Sequence, residues 1–128
     1  MKHSKGFTVI ELIVVIAVVG VTAALLLIQK NNLAATERDD NRKIAINAMY
    51  YNLEEVFFEK NGYYPTTIDS KVLRAMDPGL FTDPNGFKVG DKDSSYRYEP
   101  TNCEDNKCKG YSLRTSLEKE ADYVKTNR

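Results

Sequence analysis

Histidine is almost missing from this chain: His3 is the single one in 128 residues. A Ser–His–Asp or Cys–His triad, or a His-built zinc site, therefore has at most one imidazole to draw on. Cysteine is scarce too, with Cys103 and Cys108 the only two. Charge of one sign is absent in the net: 18 Lys and Arg balance 18 Asp and Glu, a formal net charge of zero. No basic field therefore points to nucleic acid. No Gly-rich loop suited to cradling phosphates occurs, and the carboxylates fall in no stretch that suggests a cleft. Together these absences argue against an enzyme.

What is present is a long apolar run near the beginning. From Val9 to Ile28 only Glu11 is charged. A helix of about 20 residues spans roughly 30 Å, the thickness of a bilayer's hydrocarbon core. Roughly 100 residues are then left for one small core. Lys2, His3 and Lys5 precede the run and no acid does. The excess of positive charge puts residues 1–6 in the cytoplasm and the remainder on the exported side. Cys103 and Cys108 thus lie where disulfides persist.

Three readings compete for the first thirty residues. A secretory signal peptide has a shorter apolar core, about 7–15 residues, followed by a small-residue cleavage site. The best such site, around Val21-Thr22-Ala23, is embedded in apolar sequence instead. A plain membrane anchor explains length and orientation but not Glu11, because an acid within a membrane helix is costly and calls for a partner. The third reading supplies one. A cut between Gly6 and Phe7 would create an α-ammonium near Glu11, four residues on and within reach across one helical turn. Between staggered chains, Glu11 of one could meet the terminal amine of the next. In low dielectric that pairing is strongly attractive and would set register where greasy helices otherwise slide.

The stretch Lys5-Gly6-Phe7-Thr8-Val9-Ile10-Glu11-Leu12 resembles the class III prepilin leader shared by type IV pilins and type II secretion pseudopilins. The resemblance implies that Gly6 is the peptidase cleavage site, that Phe7 is the N-methylated first mature residue, and that Glu11 is the assembly acid. Loss of the leader would remove His3. Gly20 matches a helix-loosening glycine common in that family, while Ile28 stands where many pilins carry proline. Tyr63-Tyr64-Pro65 is similar to the tyrosine-rich exit that follows the long pilin helix.

Beyond Lys30 the chain turns polar without a strong breaker. Ile46, Met49, Tyr50, Leu53, Val56 and Phe57 recur at helical steps, and Asn61-Gly62 is a stop signal. Helix is expected from about Phe7 to Lys60, loosened at Gly20 and near Asn31-Asn32. Asp39, Asp40, Arg42 and Lys43 read as a solvated helix face in preference to a contact with a neighbouring subunit. Ser70–Met76 is expected to form a short helix capped by Ser70 or Asp69. Asp77-Pro78-Gly79 and Asp83-Pro84-Asn85-Gly86 mark turns. Alternation through Tyr96–Glu99 and again through Tyr111–Glu118 predicts antiparallel strands, and residues 121–126 a third, edge strand. Cys103 and Cys108 flank a short hairpin tip; a disulfide there is favoured over half of a metal site, since no further Cys remains.

Asp83, Asn85, Asp91 and Asp93 raise the question of calcium, which the major secretion pseudopilins bind in their heads by family resemblance. The EF-hand pattern is absent, and loop-forming acids are the favoured reading, so no cofactor is expected. The expected fold is α+β, a long N-terminal helix on a small antiparallel sheet. Its parts are a cleaved leader (1–6), a transmembrane and filament-core helix (7–30), an amphipathic continuation (31–61) and a globular head (62–128). The resemblance implies a filament-forming homo-oligomer, a type IV pilin or alternatively a pseudopilin. Implied partners are a prepilin peptidase, an inner-membrane platform protein and an assembly ATPase. The precursor would sit in the cytoplasmic membrane and the assembled pilus outside the cell. A monomeric membrane-tethered binding module is the alternative of another class; it would need neither Gly6 nor Glu11.

Overall fold

A computed structural model describes residues 5–128. Lys2 and His3, invoked above for orientation, lie outside the described residues. By its contacts the chain divides into two compact units, Met1–Ala35 and Thr36–Arg128.

In the first unit the backbone is non-helical from Lys5 to Thr8 and helical from Val9 onward. This helix, α1, runs Val9–Tyr51 without a break at Gly20 or at Asn31-Asn32. The expected loosening at those places does not occur. Gly20 costs about 1 kcal/mol relative to alanine, too little to interrupt a helix whose neighbours all favour it. Every large apolar side chain from Val9 to Ile28 is exposed.

In the second unit α1 passes into a π-helical turn, Asn52–Phe58, and a final short α2, Glu59–Asn61. Gly62 ends it in the left-handed conformation at φ 76°, as the Asn-Gly stop signal implied. The π-turn was not foreseen. With i→i+5 bonding the chain advances less angle per residue, so Asn52, Leu53 and Glu54 all turn inward in succession. Val56, expected on the buried stripe, is turned out and is 39% exposed.

The sheet has three antiparallel strands in the order β1-β2-β3: Tyr96–Glu104, Lys107–Thr115 and Tyr123–Thr126. Tyr96, Tyr111, Leu113 and Thr115 point inward, against Ala45, Ile46, Met49 and Leu53 of the helix. Arg97 and Arg114 stand on the other side of the alternation. The β1–β2 turn holds Asp105 at φ 51° and Asn106 at φ 63°, the left-handed pair of a two-residue hairpin turn. Cys103 and Cys108 face each other across the strands and form a disulfide.

Between helix and sheet the chain contributes Tyr64, Ile68, Leu73, Met76 and Phe81 to the same core. Ser70–Met76 is a series of turns, not the expected short helix. Asp69 does cap it, accepting from the amides of Lys71 and Val72 at 2.8 and 2.9 Å. The turn cannot extend because Pro78 disfavours helical backbone at Asp77. A 3-10 turn, Pro78–Phe81, follows.

The solvated face expected at 39–43 is only partly so. Asp40 is exposed, whereas Asp39 and Arg42 are each 3% exposed. Asp39 accepts the backbone amides of Glu118 and Lys119 at 2.9 and 3.0 Å and the Arg42 guanidinium at 2.9 Å. Arg38 grips Glu118 through two bonds of 2.7 and 2.9 Å, and Lys43 pairs with Glu120. These charges fasten the β2–β3 connection to the helix of their own chain.

Candidate functional site

The residues singled out by sequence, Gly6, Phe7 and Glu11, share one short exposed segment. Thr8 organises it. Its hydroxyl accepts the Glu11 amide at 3.2 Å, and its carbonyl accepts the Leu12 amide at 3.1 Å. That is N-cap geometry with an acid three residues on, the spacing of a capping box. Glu11 thus sits in the first turn of α1, where the helix dipole favours a carboxylate. The Thr-x-x-Glu spacing was available in the sequence and was missed.

One expectation changes as a result. Phe7 precedes the cap and is not on the helical turn that carries Glu11, so an approach across one turn of helix is not in place in the uncut chain. The Gly6–Phe7 bond instead lies in non-helical backbone. Phe7 is 77% exposed, and a Cβ built on Gly6 would meet nothing within 4 Å.

Downstream, Thr22 returns its hydroxyl to the Val18 carbonyl at 2.8 Å. The one hydroxyl in the later part of the apolar run therefore makes its bond within the helix, as lipid requires. The helix window is apolar and long enough to cross a membrane, with mean hydropathy 2.8 and none of it buried.

In the second unit the main electrostatic feature is buried. Glu54, 5% exposed, accepts the hydroxyls of Tyr64 at 2.9 Å and Tyr111 at 2.7 Å and the Arg128 amide at 3.3 Å. Burial, with the bond to Glu54 adding to it, pushes the Tyr64 phenol up to about 12 and drives Tyr111 upward as well. On Glu118 the hydrogen bonds from Arg38 and Arg42 hold the carboxyl down at about 2. Burial pushes Asp39 up, but the amides of Glu118 and Lys119 and the Arg42 guanidinium outweigh it and leave its pKa lowered.

The acids considered for calcium are not brought together. Asp83 accepts the amides of Asn85, Phe87 and Ser95 at 3.0, 2.9 and 2.8 Å, and the Ser95 hydroxyl at 3.1 Å. Asp91 accepts the Lys88 amide at 3.1 Å. Among the described residues no group of three or more His, Cys, Asp or Glu gathers in metal-holding geometry. Asp83 works as a turn-former joined to the start of β1.

The long apolar helix and the small three-stranded antiparallel sheet define a pilin-like α+β layout. Residues 1–27 match the prokaryotic N-terminal methylation motif, the class III prepilin leader of type IV pilins and pseudopilins. No solved structure matches the chain.

Proposed function

We propose that this chain is a structural, non-enzymatic subunit of a filament, a type IV pilin. The observation that carries the reading is the prepilin leader of residues 1–27 running into a helix whose apolar side chains from Val9 to Ile28 are all exposed. A surface of that kind must be covered by lipid or by its own copies. The precursor is held in the cytoplasmic membrane by this helix. A prepilin peptidase cuts the open Gly6–Phe7 bond and methylates Phe7. Assembly machinery, a platform protein and an ATPase, then draws subunits into a helical fibre that ends outside the cell. Glu11 pairs there with the terminal ammonium of a neighbour, since a lone carboxylate in such a bundle is penalised.

A pseudopilin is the second reading. It is favoured by the order Asp83-Pro84-Asn85-Gly86 followed by Tyr96-Arg97-Tyr98, with Asp83 bonded to Ser95 at the head of β1. Deletion of the chromosomal copy separates the two: loss of surface fibres with normal protein export supports the pilin, and the reverse supports the pseudopilin.

The test of the assembly role uses microscopy of sheared fibres with mass spectrometry of the N-terminus. The expected mature chain begins at methylated Phe7. Glu11→Gln retains the capping-box spacing but removes the charge, so it separates the two roles of this acid. Processed subunits without fibres are expected. Normal fibres from that variant would overturn the charge role, and a mature N-terminus near Ala23 would revive the signal-peptide reading.

A further inference from the structure

The second unit contains a groove that the filament reading does not use. Its volume is about 510 Å³, and it lies between the end of the long helix, the exit segment after Gly62 and the turns around Lys71. Small-molecule sites fall in the range of roughly 300–1,000 Å³ and combine apolar walls with a few placed polar groups. Val56, Phe57 and Tyr63 supply apolar wall, with the two rings edge to face at 5.7 Å. The π-turn bears on this directly, because it is what turns Val56 out of the core and into the groove.

The charge around the groove is of one sign. Lys60, Lys71 and Arg74 line it, and no Asp or Glu does. None of the three has an ion-pair partner among the described residues. The chain as a whole has no net charge, so this grouping is local and not a by-product of a basic protein. Arg74 is partly oriented: its Nε donates to the Lys71 carbonyl at 3.1 Å. Its terminal nitrogens have no protein acceptor among the described residues, and that free end of the fork suits an oxyanion. Three like charges around one cavity repel each other, and a bound anion relieves that repulsion.

We propose that this groove binds a phosphate ester carrying an aromatic or apolar body. The phosphate, with about −1.5 to −2 charge near neutral pH, matches three cations better than a single carboxylate does. The body of the ligand covers Val56, Phe57 and Tyr63. A soluble ester and a lipid headgroup share this chemistry. The inference does not depend on filament assembly.

The test is an amide NMR titration of the full chain in neutral detergent micelles with phenyl phosphate. Inorganic phosphate serves as the ringless comparator and benzyl alcohol as the uncharged one. Saturable shifts confined to residues 52–75 and the turn at Asn106 are expected, with inorganic phosphate at least tenfold weaker and benzyl alcohol without effect. Lys60→Gln/Lys71→Gln/Arg74→Gln, all at exposed positions, should weaken phenyl phosphate at least tenfold, and Lys88→Gln/Lys92→Gln should leave it unchanged. Single Arg74→Gln, checked for native tyrosine circular dichroism, guards against a folding artefact and should lose at least threefold. Phosphatidic acid, a lipid phosphate monoester, added to the micelles identifies a lipid source if it shifts the same amides, and a soluble ester if it does not while phenyl phosphate still binds. Equal affinity in the triple variant, equal affinity for inorganic phosphate, or shifts that never saturate would overturn the site.

Discussion

Tyr111 on β2 donates its hydroxyl to Glu54 at 2.7 Å, across 57 residues of sequence. Tyr64 reaches the same carboxylate, so one buried acid ties helix, helix exit and sheet together. Buried phenols need acceptors, and a bond to a charged group contributes about 1.5–3 kcal/mol. Glu54→Gln should therefore lower the stability of the second unit by about 1–3 kcal/mol. Urea melting of the full chain in micelles, followed by tyrosine circular dichroism, measures it; an unchanged midpoint would refute the network.

The same cluster sets an alkaline limit. Burial, aided by Glu54, raises Tyr64 to about 12, burial raises Tyr96 to about 12, and Tyr98 and Tyr111 also shift upward. Raised phenols contribute stability that is complete below about pH 10, the unfolded value, and is lost as pH rises through about 12. Phenolate absorbance should show a delayed group whose ionisation coincides with unfolding. Complete reversible titration near pH 10, with no loss of structure, would contradict this.

The acid limb has the opposite sign. Glu118 is held at about 2 by Arg38 and Arg42, and Asp39 is lowered because its amide and guanidinium donors outweigh burial. Depressed carboxylates stabilise above the unfolded values near 4, and that contribution disappears as pH falls from about 4 through about 2. Asp39→Ala, which leaves two loop amides without their acceptor and buried Arg42 with Glu118 alone, should cost about 1–3 kcal/mol. Lys43→Ala, at a more exposed pair, should stay within about 0.5 kcal/mol. Equal losses from the two variants would remove the distinction between clamp and surface pair.

Much of this layout was legible in the chain because the signals were local. Alternation located β1 and the middle of β2, although β2 begins at Lys107 and ends at Thr115 where alternation alone ran from Tyr111 to Glu118. Asn61-Gly62 set the helix end, and the basic, Gly, Phe and Glu order set the leader. What stayed hidden depends on partners distant in sequence. Asp39 and Arg42 look like any helix-surface charges until residues 118 and 119 arrive to bond them. Glu54 shares a helical stripe with Ile46 and Tyr50, but the phenols that occupy its carboxylate come from 10 and 57 residues away. Thr8 differs in kind: its cap is local and readable from the Thr-x-x-Glu spacing.

At the start of α1, Thr8→Ala removes the hydroxyl that accepts the Glu11 amide. Loss of an N-cap costs about 1 kcal/mol, confined here to the first turn. Hydrogen exchange at Glu11 and Leu12 should quicken roughly fivefold, with Thr8→Ser close to the parent. Unchanged exchange in Thr8→Ala would mean that the hydroxyl does not hold the helix start.

Gly110 tests how the C-terminal end is held. On β2 it lies opposite Thr101, and a Cβ there would fall 2.7 Å from both Thr101 Oγ1 and Asn127 Oδ1. Side-chain ends can move, but Asn127 Oδ1 accepts the Tyr111 amide at 3.1 Å, and the Asn127 amide donates to the Tyr111 carbonyl at 3.3 Å. Displacing Asn127 loosens the residue that follows β3 and, with it, the Arg128 amide on Glu54. Gly110→Ala should therefore cost about 1–3 kcal/mol, typical of overpacking, and expose the amides of Tyr111 and Asn127 to exchange. Adding Asn127→Gly should recover part of the space but not the side-chain acceptor for the Tyr111 amide, so the double variant should remain less stable than the parent. Parent-like stability in Gly110→Ala would mean that Asn127 is not fastened to β2 in solution.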